Sequence, residues 1–329
     1  MPHPRAFLTV TIDTECDKGP RWRVRKPLSF EATWDGIPHR LAPIFRAHGA
    51  TATYLLSPEV MRDARSVEAI ANANHAMELG THLHCELIHE NAPLPDATLI
   101  FQRDEPQEAE HLALLTALFT RTFGRAPTSF RAGRFGIGPR SLGALQRLGY
   151  AVDSSVTPHV DWSGSGAPGL SFFGAPTQPY RPQLDAPEAP GDGRIIEVPV
   201  TIRAHPAARV AAAAAGKFGG ALSSRVRSAL PARWLRPTRG TSRELVRIIE
   251  DEIAAHPGAR TTAPCVLTMM FHNVEITPGA SPYATDEHAA DGILRRLYDV
   301  LAYARANDIA VVGLTEAART WAAAELRAA

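Results

Sequence analysis

Short apolar runs rich in β-branched residues alternate along this chain with longer segments of helical periodicity. Eight such runs occur, at residues 6–12, 50–56, 81–84, 128–132, 150–156, 195–202, 265–271 and 309–315. Strands that are apolar along their whole length are typical of parallel sheets covered by helices. Several helical segments end in glycine, as at Gly49 and Gly124, the residue favoured just beyond a helix C-terminus. The pattern therefore predicts an α/β protein built from successive βα units.

Up to eight strands separated by helices favour a closed or nearly closed barrel. A doubly wound open sheet is the alternative, although no GxGxxG or Walker signature supports a nucleotide-binding version. We expect a single domain over residues 1–329, interrupted by two segments. Residues 157–194 are rich in proline and glycine and predict a long loop over one barrel face. The Ala- and Arg-rich residues 203–240 predict a basic helical insertion.

The composition, 45% hydrophobic and 21% charged, fits an ordinary globular protein. No stretch approaches the roughly 20 apolar residues of a membrane-spanning helix, and the apolar part of the N-terminal segment is too short for a signal peptide. The three cysteines lack the spacing of a disulfide framework, which fits a reducing compartment. We therefore expect a cytoplasmic protein, with peripheral attachment to the inner membrane as the alternative.

The formal net charge of +1 conceals a basic stretch, because residues 198–243 contain nine Lys or Arg and no Asp or Glu. The simplest interpretation is a solvated face. The alternative is that residues 203–243 contact an anionic membrane, a pyrophosphate-linked lipid carrier or a phosphorylated or acidic glycan, since clustered arginines suit phosphate recognition. No nucleic-acid-binding motif accompanies the charge, so we expect no nucleic-acid partner.

Acidic and imidazole side chains follow two of the apolar runs in pairs. Asp13 and Glu15 end the first run, and His82 and His84 end the third, each pair at i and i+2. On a strand this spacing points both side chains to one face, and βα barrels carry their sites at the carboxyl ends of the strands. Either pair alone is compatible with an ordinary strand end. Together they favour a divalent-metal site, with Zn²⁺ expected and Co²⁺, Ni²⁺ or Mn²⁺ as alternatives.

Other polar residues occur where further strands should end. Arg131 opens the segment RAGRFG, whose glycines allow close backbone approach to a ligand. Asp153 lies in the next run, and Asp161 lies in the loop beyond it. His272 ends an almost wholly apolar run, and histidine can transfer protons near neutral pH. The structural alternatives are an Arg131 that only pairs with a carboxylate and a His272 that is a hydrogen-bonded core residue.

In this order the segments resemble the motifs of polysaccharide deacetylases of the NodB-homology, carbohydrate esterase family 4 type. The counterparts are TIDTE (11–15), GTHLH (80–84), FRAGRFG (130–136), DSSVTPHVDW (153–162) and MMFHN (269–273). The segment that begins at Phe271 further resembles a WalW-type subgroup found among cell-surface polysaccharide biosynthesis proteins. The resemblance implies a distorted (β/α)7–8 barrel. It also implies a metal-dependent hydrolase that removes the N-acetyl group from a sugar in a cell-surface glycan or its lipid-linked precursor.

The resemblance further implies a role for each matching residue. Asp13 would be the general base that activates water, and Arg131 would orient it. Asp161 would anchor Arg131. His82 would be a metal ligand, and His272 would be the general acid that protonates the departing amine.

Two departures from the family's motifs concern the metal ligands. Thr14 stands where the family has a second Asp as ligand, so Glu15, two residues after Asp13, is the natural substitute. Glu86 stands at the position of the family's second histidine. We therefore expect His84 to be the ligand, with Glu86 and His89 in reserve.

A third departure concerns the substrate, because Arg134 or Phe135 replaces the tyrosine that follows the family's Arg motif. These two residues and Trp162 are the expected substrate contacts, and a backbone N–H near Arg134 is available to an oxyanion. Two other functions stay open: a deformylase or other amide hydrolase acting on a modified sugar, and a non-catalytic glycan-binding barrel. Assays of acetate against formate, and of metal content, separate these possibilities.

Overall fold

The computed structural model describes residues 4, 6–90, 99–163, 167, 169–204, 232–256 and 263–328. Twelve strands lie in this described part of the chain: β1 (Ala6–Thr14), β2 (Ala52–Leu56), β3 (Met77–Leu83), β4 (Ser129–Ala132), β5 (Val152–Asp153), β6 (Pro182–Gln183), β7 (Ala186–Pro190), β8 (Ile196–Glu197), β9 (Ile202–Ala204), β10 (Ala232–Trp234), β11 (Cys265–His272) and β12 (Ile309–Val311). Eight of them, β1 to β5, β8, β11 and β12, form one central sheet.

Neighbouring strands of the central sheet run parallel, in the order β11-β1-β2-β3-β4-β5-β8. The short β12 pairs with residues 6–8 of β1, next to the place where β2 pairs with residues 10–14. The sheet curls, and the chain beyond β8 reaches β11, where the N–H of Thr201 donates to the carbonyl of Thr268 at 3.0 Å. The predicted distorted (β/α)7–8 barrel is therefore confirmed, and the open doubly wound sheet is wrong.

Helices cover the outer face of the sheet. Those in the described residues are α1 (Ala42–His48), α2 (Pro58–Arg62), α3 (Ala64–Ala71), α4 (Glu105–Phe123), α5 (Ser141–Arg147), α6 (Ser242–Ala255), α7 (Glu287–Ala306) and α8 (Leu314–Ala328), together with a π-helical segment at Ala32–Leu41 and short 3₁₀ turns. All nine residues of β1 are buried, because helices pack on one face and the barrel interior on the other. None of the described helices has the length and apolar character needed to cross a bilayer.

Two antiparallel strand pairs of the described residues lie outside the central sheet. Strands β6 and β7 pair antiparallel within the predicted loop region 157–194. Strands β9 and β10 pair antiparallel at the two ends of the predicted insertion, whose residues 205–231 lie outside the described part of the chain. Two arginines of the basic stretch contact α6, where Arg203 pairs with Glu252 at 2.7 Å and Arg233 with Asp251 at 3.1 Å. The described part of that stretch is therefore not simply a solvated face.

Candidate active site

The register of the central sheet places four of the predicted residues at the carboxyl ends of their strands. Asp13 of β1 stands opposite His272 of β11, and His82 of β3 stands opposite Arg131 of β4. Although β2 and β3 separate Asp13 from Arg131 in the sheet, the two side chains form an ion pair of 2.7 Å. The curvature of the barrel therefore brings the four residues together at one end.

Glu15, His82 and His84 form a buried cluster of potential metal ligands at this end of the barrel. The Nε2 atoms of His82 and His84 lie 3.0 and 2.7 Å from Oε1 of Glu15, and 3.1 Å from each other. Two imidazole nitrogens and one carboxylate oxygen form the kind of three-residue set that catalytic zinc sites use, with a further position open to water or substrate. The three residues predicted as ligands are thus close enough to hold one divalent ion.

Contacts outside the cluster orient His82 and Glu15, and a carboxylate approaches the ring of His84. Nδ1 of His82 donates to the carbonyl of Arg131 at 3.0 Å, so Nε2 is the nitrogen left to bind a metal. Nδ1 of His84 lies 3.4 Å from Oε1 of Glu86. Nζ of the buried Lys18 lies 2.8 Å from Oε2 of Glu15, which leaves Oε1 facing the two imidazoles.

Glu86 and His89, the two reserve ligands, lie away from the three converging atoms. Glu86 stands on the far side of the His84 ring and pairs with Nη2 of Arg134 at 2.5 Å. Burial alone would raise the pKa of Glu86, but its contacts with His84 and Arg134 outweigh burial and lower that pKa. His89 is exposed, and its ring contacts His111 with 5.5 Å between ring centroids. The geometry therefore assigns His84 to the cluster, with Glu86 as its supporting carboxylate.

Asp13 lies between the ligand cluster and His272. Its Oδ1 accepts a hydrogen bond from Nη1 of Arg131 at 2.7 Å. Its Oδ2 lies 4.0 Å from Nε2 of His82 and 3.8 Å from Nε2 of His272. Burial would raise the pKa of Asp13, but the positive charges of Arg131, His82 and His272 outweigh burial and lower it. An ionised carboxylate with one oxygen fixed and the other facing the cluster is suited to accept a proton.

Arg131 is fully buried, and Ser154 holds the side of its guanidinium that does not face Asp13. Nε donates to the carbonyl of Ser154 at 2.7 Å, and Nη2 donates to Oγ of Ser154 at 2.8 Å. Asp161, which we expected to anchor Arg131, accepts the backbone N–H of Ser163 at 3.0 Å, and the hydrogen bonds of the Arg131 guanidinium go to Asp13 and Ser154. Asp161 belongs to the irregular segment after β5, and neither strand nor helix periodicity indicates where such a segment folds.

Two buried carboxyl groups, Asp153 of β5 and Glu197 of β8, stand opposite each other in the sheet beside Arg131. Burial raises the pKa of Asp153, and burial together with the charge of Asp153 raises that of Glu197. Two neighbouring buried carboxyls do not both ionise readily, so the raised pKa values favour a protonated carboxyl in this pair. Glu197 was not identified from the sequence, although an acid inside an apolar run was a visible signal.

His272 is oriented by a second polar group that was also not identified from the sequence. Its Nδ1 donates to Oε1 of Glu275 at 2.7 Å, and Glu275 also accepts hydrogen bonds from Arg236 and Thr238. Burial would raise the pKa of Glu275, but Arg236 and His272 outweigh burial and lower it. The available signal was an acid three residues after the histidine that ends the apolar run.

A cleft of about 820 Å³ opens over these groups. One part of its lining is aromatic, with 5.8 Å between the ring centroids of Phe135 and Trp162 and 5.8 Å between those of Phe135 and Trp234. Another part contains Trp22 and Tyr283, whose ring centroids are 5.5 Å apart. Broad aromatic faces of this kind suit the packing of an amphipathic ring such as a sugar. The three predicted substrate contacts, Phe135, Trp162 and Arg134, all line this cleft.

Gly133 lets the chain after β4 pack closely against the histidine segment. A Cβ atom at this position would lie 2.5 Å from the carbonyl oxygen of Leu83 and 3.0 Å from Nδ1 of His84. The next residue, Arg134, has a left-handed backbone with φ of 54°. The glycine therefore permits a close approach of this chain to the segment that carries His84.

Solved structures of low sequence identity share this fold. A protein from Mycobacterium smegmatis assigned as a polysaccharide deacetylase matches with a TM-score of 0.52 and 17% identity over 98% of this chain and 95% of its own. A protein from Parabacteroides distasonis assigned as a glycoside hydrolase/deacetylase matches with a TM-score of 0.59 and 12% identity over 98% and 73%. A GH57 branching enzyme from Thermococcus kodakaraensis matches with a TM-score of 0.52 and 12% identity over 95% and 70%.

No protein-family model matches the chain, and no curated protein matches it in sequence. The structural matches show that the chain has the fold of the polysaccharide deacetylases, as its motifs indicated. The branching enzyme shares the same fold with a different activity, so function must be argued from the site.

Proposed function

We propose that this protein is a divalent-metal-dependent hydrolase that removes the N-acetyl group from an N-acetylated sugar in a cell-surface glycan or its lipid-linked precursor. The position of Asp13 carries the proposal. Its free oxygen lies 4.0 Å from Nε2 of His82, in the ligand cluster, and 3.8 Å from Nε2 of His272. A proton acceptor and a second proton-transfer group therefore flank one point beside a candidate metal site, as hydrolysis of an amide requires.

The donor set of Glu15, His82 and His84 fits a divalent ion. One carboxylate oxygen and two imidazole nitrogens suit Zn²⁺, and they also accept Co²⁺, Ni²⁺ or Mn²⁺. When bound, such an ion supplies Lewis acidity, which polarises the amide carbonyl and makes water more acidic. The protein contributes the orientation of the ligands, because Arg131 and Glu86 face the Nδ1 atoms of the two histidines.

Asp13 accepts the proton of the attacking water at Oδ2, since Arg131 already occupies Oδ1. The lowered pKa of Asp13 keeps its carboxylate ionised at neutral pH, so it is ready to take a proton before the reaction begins. Arg131 is itself fixed by Ser154, so the accepting oxygen keeps its position beside the ligand cluster.

His272 delivers a proton to the departing sugar nitrogen. Its Nδ1–H is directed at Glu275, which leaves Nε2 facing Asp13 and the cleft. The edge contact with Trp22, 5.0 Å between ring centroids, restrains the ring from another side. The aromatic residues Phe135 and Trp162 offer a surface for the sugar within the same cleft. The fold shared with proteins assigned as deacetylases also supports the proposal.

The test uses the full chain purified without chelator. Its metal content is measured first, and acetate and formate are then assayed against N-acetyl and N-formyl sugars in free, lipid-linked and nucleotide-linked form. We expect about one transition-metal ion per chain, as a single three-residue site requires, and release of acetate without formate. Formate as the sole product would identify a deformylase instead. A chain that binds glycans but carries no metal and releases neither acid would identify a non-catalytic barrel.

A further inference from the structure

Some positively charged side chains in the cleft do not pair with a carboxylate of the described residues. Three carboxylates line the cleft, and each has a cationic partner: Asp13 with Arg131, Glu15 with Lys18 and Glu86 with Arg134. A further lining residue, Arg236, pairs with the buried Glu275 beneath it. The carboxylates that line the cleft are therefore neutralised within the protein.

Two lining residues, Arg23 and Arg239, stand apart from these pairs. Both are exposed in the cleft, and neither guanidinium contacts a carboxylate or a carbonyl among the described residues. Their backbones are nevertheless held in turns, because the N–H of Arg23 donates to the carbonyl of Lys18 at 2.9 Å and that of Arg239 to the carbonyl of Arg236 at 3.0 Å. The cleft thus contains two arginines whose backbones are fixed and whose guanidinium groups have no anionic partner among the described residues.

Both arginines belong to segments that contact His272. Arg23 follows Trp22, whose ring contacts that of His272. Arg239 follows the turn that begins at Arg236, whose Nη2 lies 3.4 Å from Nδ1 of His272. Trp22 and Arg236 also both contact Tyr283, which joins the two segments at one part of the cleft. The unpaired charge is therefore concentrated on the side where the proposed proton donor lies.

We infer that the substrate carries a phosphate group, bound by Arg23 and Arg239 while the aromatic residues contact the sugar. The sugar part of this inference rests on the proposed function, whereas the phosphate part does not. Two unpaired guanidinium groups match the nearly double negative charge of a phosphate monoester at neutral pH, whereas a sugar carboxylate offers a single charge. The planar, multi-donor guanidinium also fits the oxygen geometry of phosphate.

The first experiment measures binding and needs no turnover. Inorganic phosphate is titrated calorimetrically into the metal-loaded wild type, into R23A/R239A and into the matched control R25A/R243A. The control removes the same number of charges from exposed arginines that do not line the cleft. We expect the first double variant to bind at least about tenfold more weakly, because charged hydrogen bonds are lost, and the control to bind like wild type. Equal weakening in both variants, or no phosphate binding by wild type, overturns the inference.

The second experiment identifies the source of the phosphate. Acetate release is compared for N-acetylglucosamine, its 1-phosphate, its uridine-diphosphate form and its polyprenyl-diphosphate form, with N-acetylated aminouronic acid as the carboxylate case. We expect a phosphorylated form to have the highest kcat/KM, and R23A/R239A to raise KM for that form alone. An equal kcat/KM for the unphosphorylated or carboxylated sugar overturns the inference. If no acetate appears from any sugar while phosphate binding depends on the two arginines, the proposed function fails and the anion site stands.

Discussion

Oδ2 of Asp13 and Nε2 of His272 face each other at 3.8 Å from opposed positions of two adjacent parallel strands. Each side chain is held from outside the cleft. Arg131 binds the other oxygen of Asp13, and Glu275 accepts a hydrogen bond from Nδ1 of His272. The two proton-transfer groups are thus fixed by separate contacts, and neither belongs to the three-residue ligand cluster. Mutation can therefore separate their contributions from metal binding.

Asp13→Asn and His272→Ala should each lower kcat by about 10²- to 10⁴-fold, the usual contribution of a positioned acid or base. Metal content should stay at the wild-type level, because the cluster of potential ligands contains neither residue. Steady-state acetate release and elemental analysis on the same samples check both statements. His89→Ala is the matched control, since its ring is exposed and lies outside the cleft lining. Near-normal kcat in either active-site variant would remove the proposed mechanism.

Glu275→Gln should act through His272 rather than on the substrate. Glu275 is buried and does not line the cleft, so we expect KM to change little. Loss of the carboxylate weakens the hold on Nδ1 of His272, and kcat should fall by about 10- to 100-fold, less than on loss of the imidazole itself. Initial rates over a range of substrate concentrations separate the two parameters. A rise in KM with unchanged kcat would show that Glu275 supports the shape of the cleft instead.

His84→Ala should remove the bound metal, whereas Glu86→Gln should weaken its binding by about 10- to 100-fold, the usual effect of losing a group that supports a ligand. The difference follows from position, since Nε2 of His84 lies 2.7 Å from Oε1 of Glu15 while Glu86 faces Nδ1 of the ring. Competition with a chelator of known affinity measures both effects. Stoichiometric metal in His84→Ala would show that another residue takes the third position.

Gly133→Ala should weaken metal binding although the residue contributes no ligand. The added Cβ would lie 2.5 Å from the carbonyl oxygen of Leu83 and 3.0 Å from Nδ1 of His84, so the segment that carries a ligand must move. Gly143→Ala is the control, because its Cβ would meet only the end of Arg147 at 3.5 Å, and alanine favours the helix it lies in. We expect lower metal affinity and a lower melting temperature in the first variant only. Equal metal affinity in Gly133→Ala and Gly143→Ala would show that the close packing at Gly133 does not position the ligand segment.

Most of the barrel could be predicted from the sequence because burial on both faces of a parallel sheet leaves a continuous apolar signal. Strands β1 and β11 show this most clearly, since nearly every residue in them is buried and apolar or Thr. The prediction of one strand over residues 195–202 was less accurate. Only Ile196–Glu197 forms a strand inside this run, and a second strand, Ile202–Ala204, begins at its last residue. Periodicity shows that a segment is extended but does not show which neighbour it pairs with.

The parts of the site that follow directly from strand ends were predictable, and the parts supplied by loops were not. The i, i+2 spacing of Glu15 with Asp13 and of His84 with His82 fixes a shared face, and the structure brings both pairs together. Lys18 reaches the site from a loop after β1, which strand periodicity does not position. Asp161 also lies in a loop, so strand periodicity does not determine the direction of its carboxylate.

The pair formed by Asp153 and Glu197 should make the protein less stable as the pH rises. Burial raises the pKa of Asp153, and burial with the charge of Asp153 raises that of Glu197, so the folded chain keeps a proton that the unfolded chain releases. The stability from such a group is fully present below the ordinary carboxyl pKa of about 4. It is lost as the pH rises from there through the raised pKa of the pair, so the free energy of unfolding falls across that window.

Glu197→Gln tests this sign directly. Glu197 accepts a hydrogen bond from the N–H of Val156 at 3.0 Å, and glutamine keeps an oxygen for that bond. Its amide group does not titrate and can donate an N–H to Asp153. The free energy of unfolding of the variant should therefore fall less than that of wild type as the pH rises above about 4. Urea unfolding at a series of pH values measures the difference, and Glu188→Gln on an exposed strand position is the control. Parallel curves for wild type and Glu197→Gln would show that the two buried carboxyls hold no shared proton.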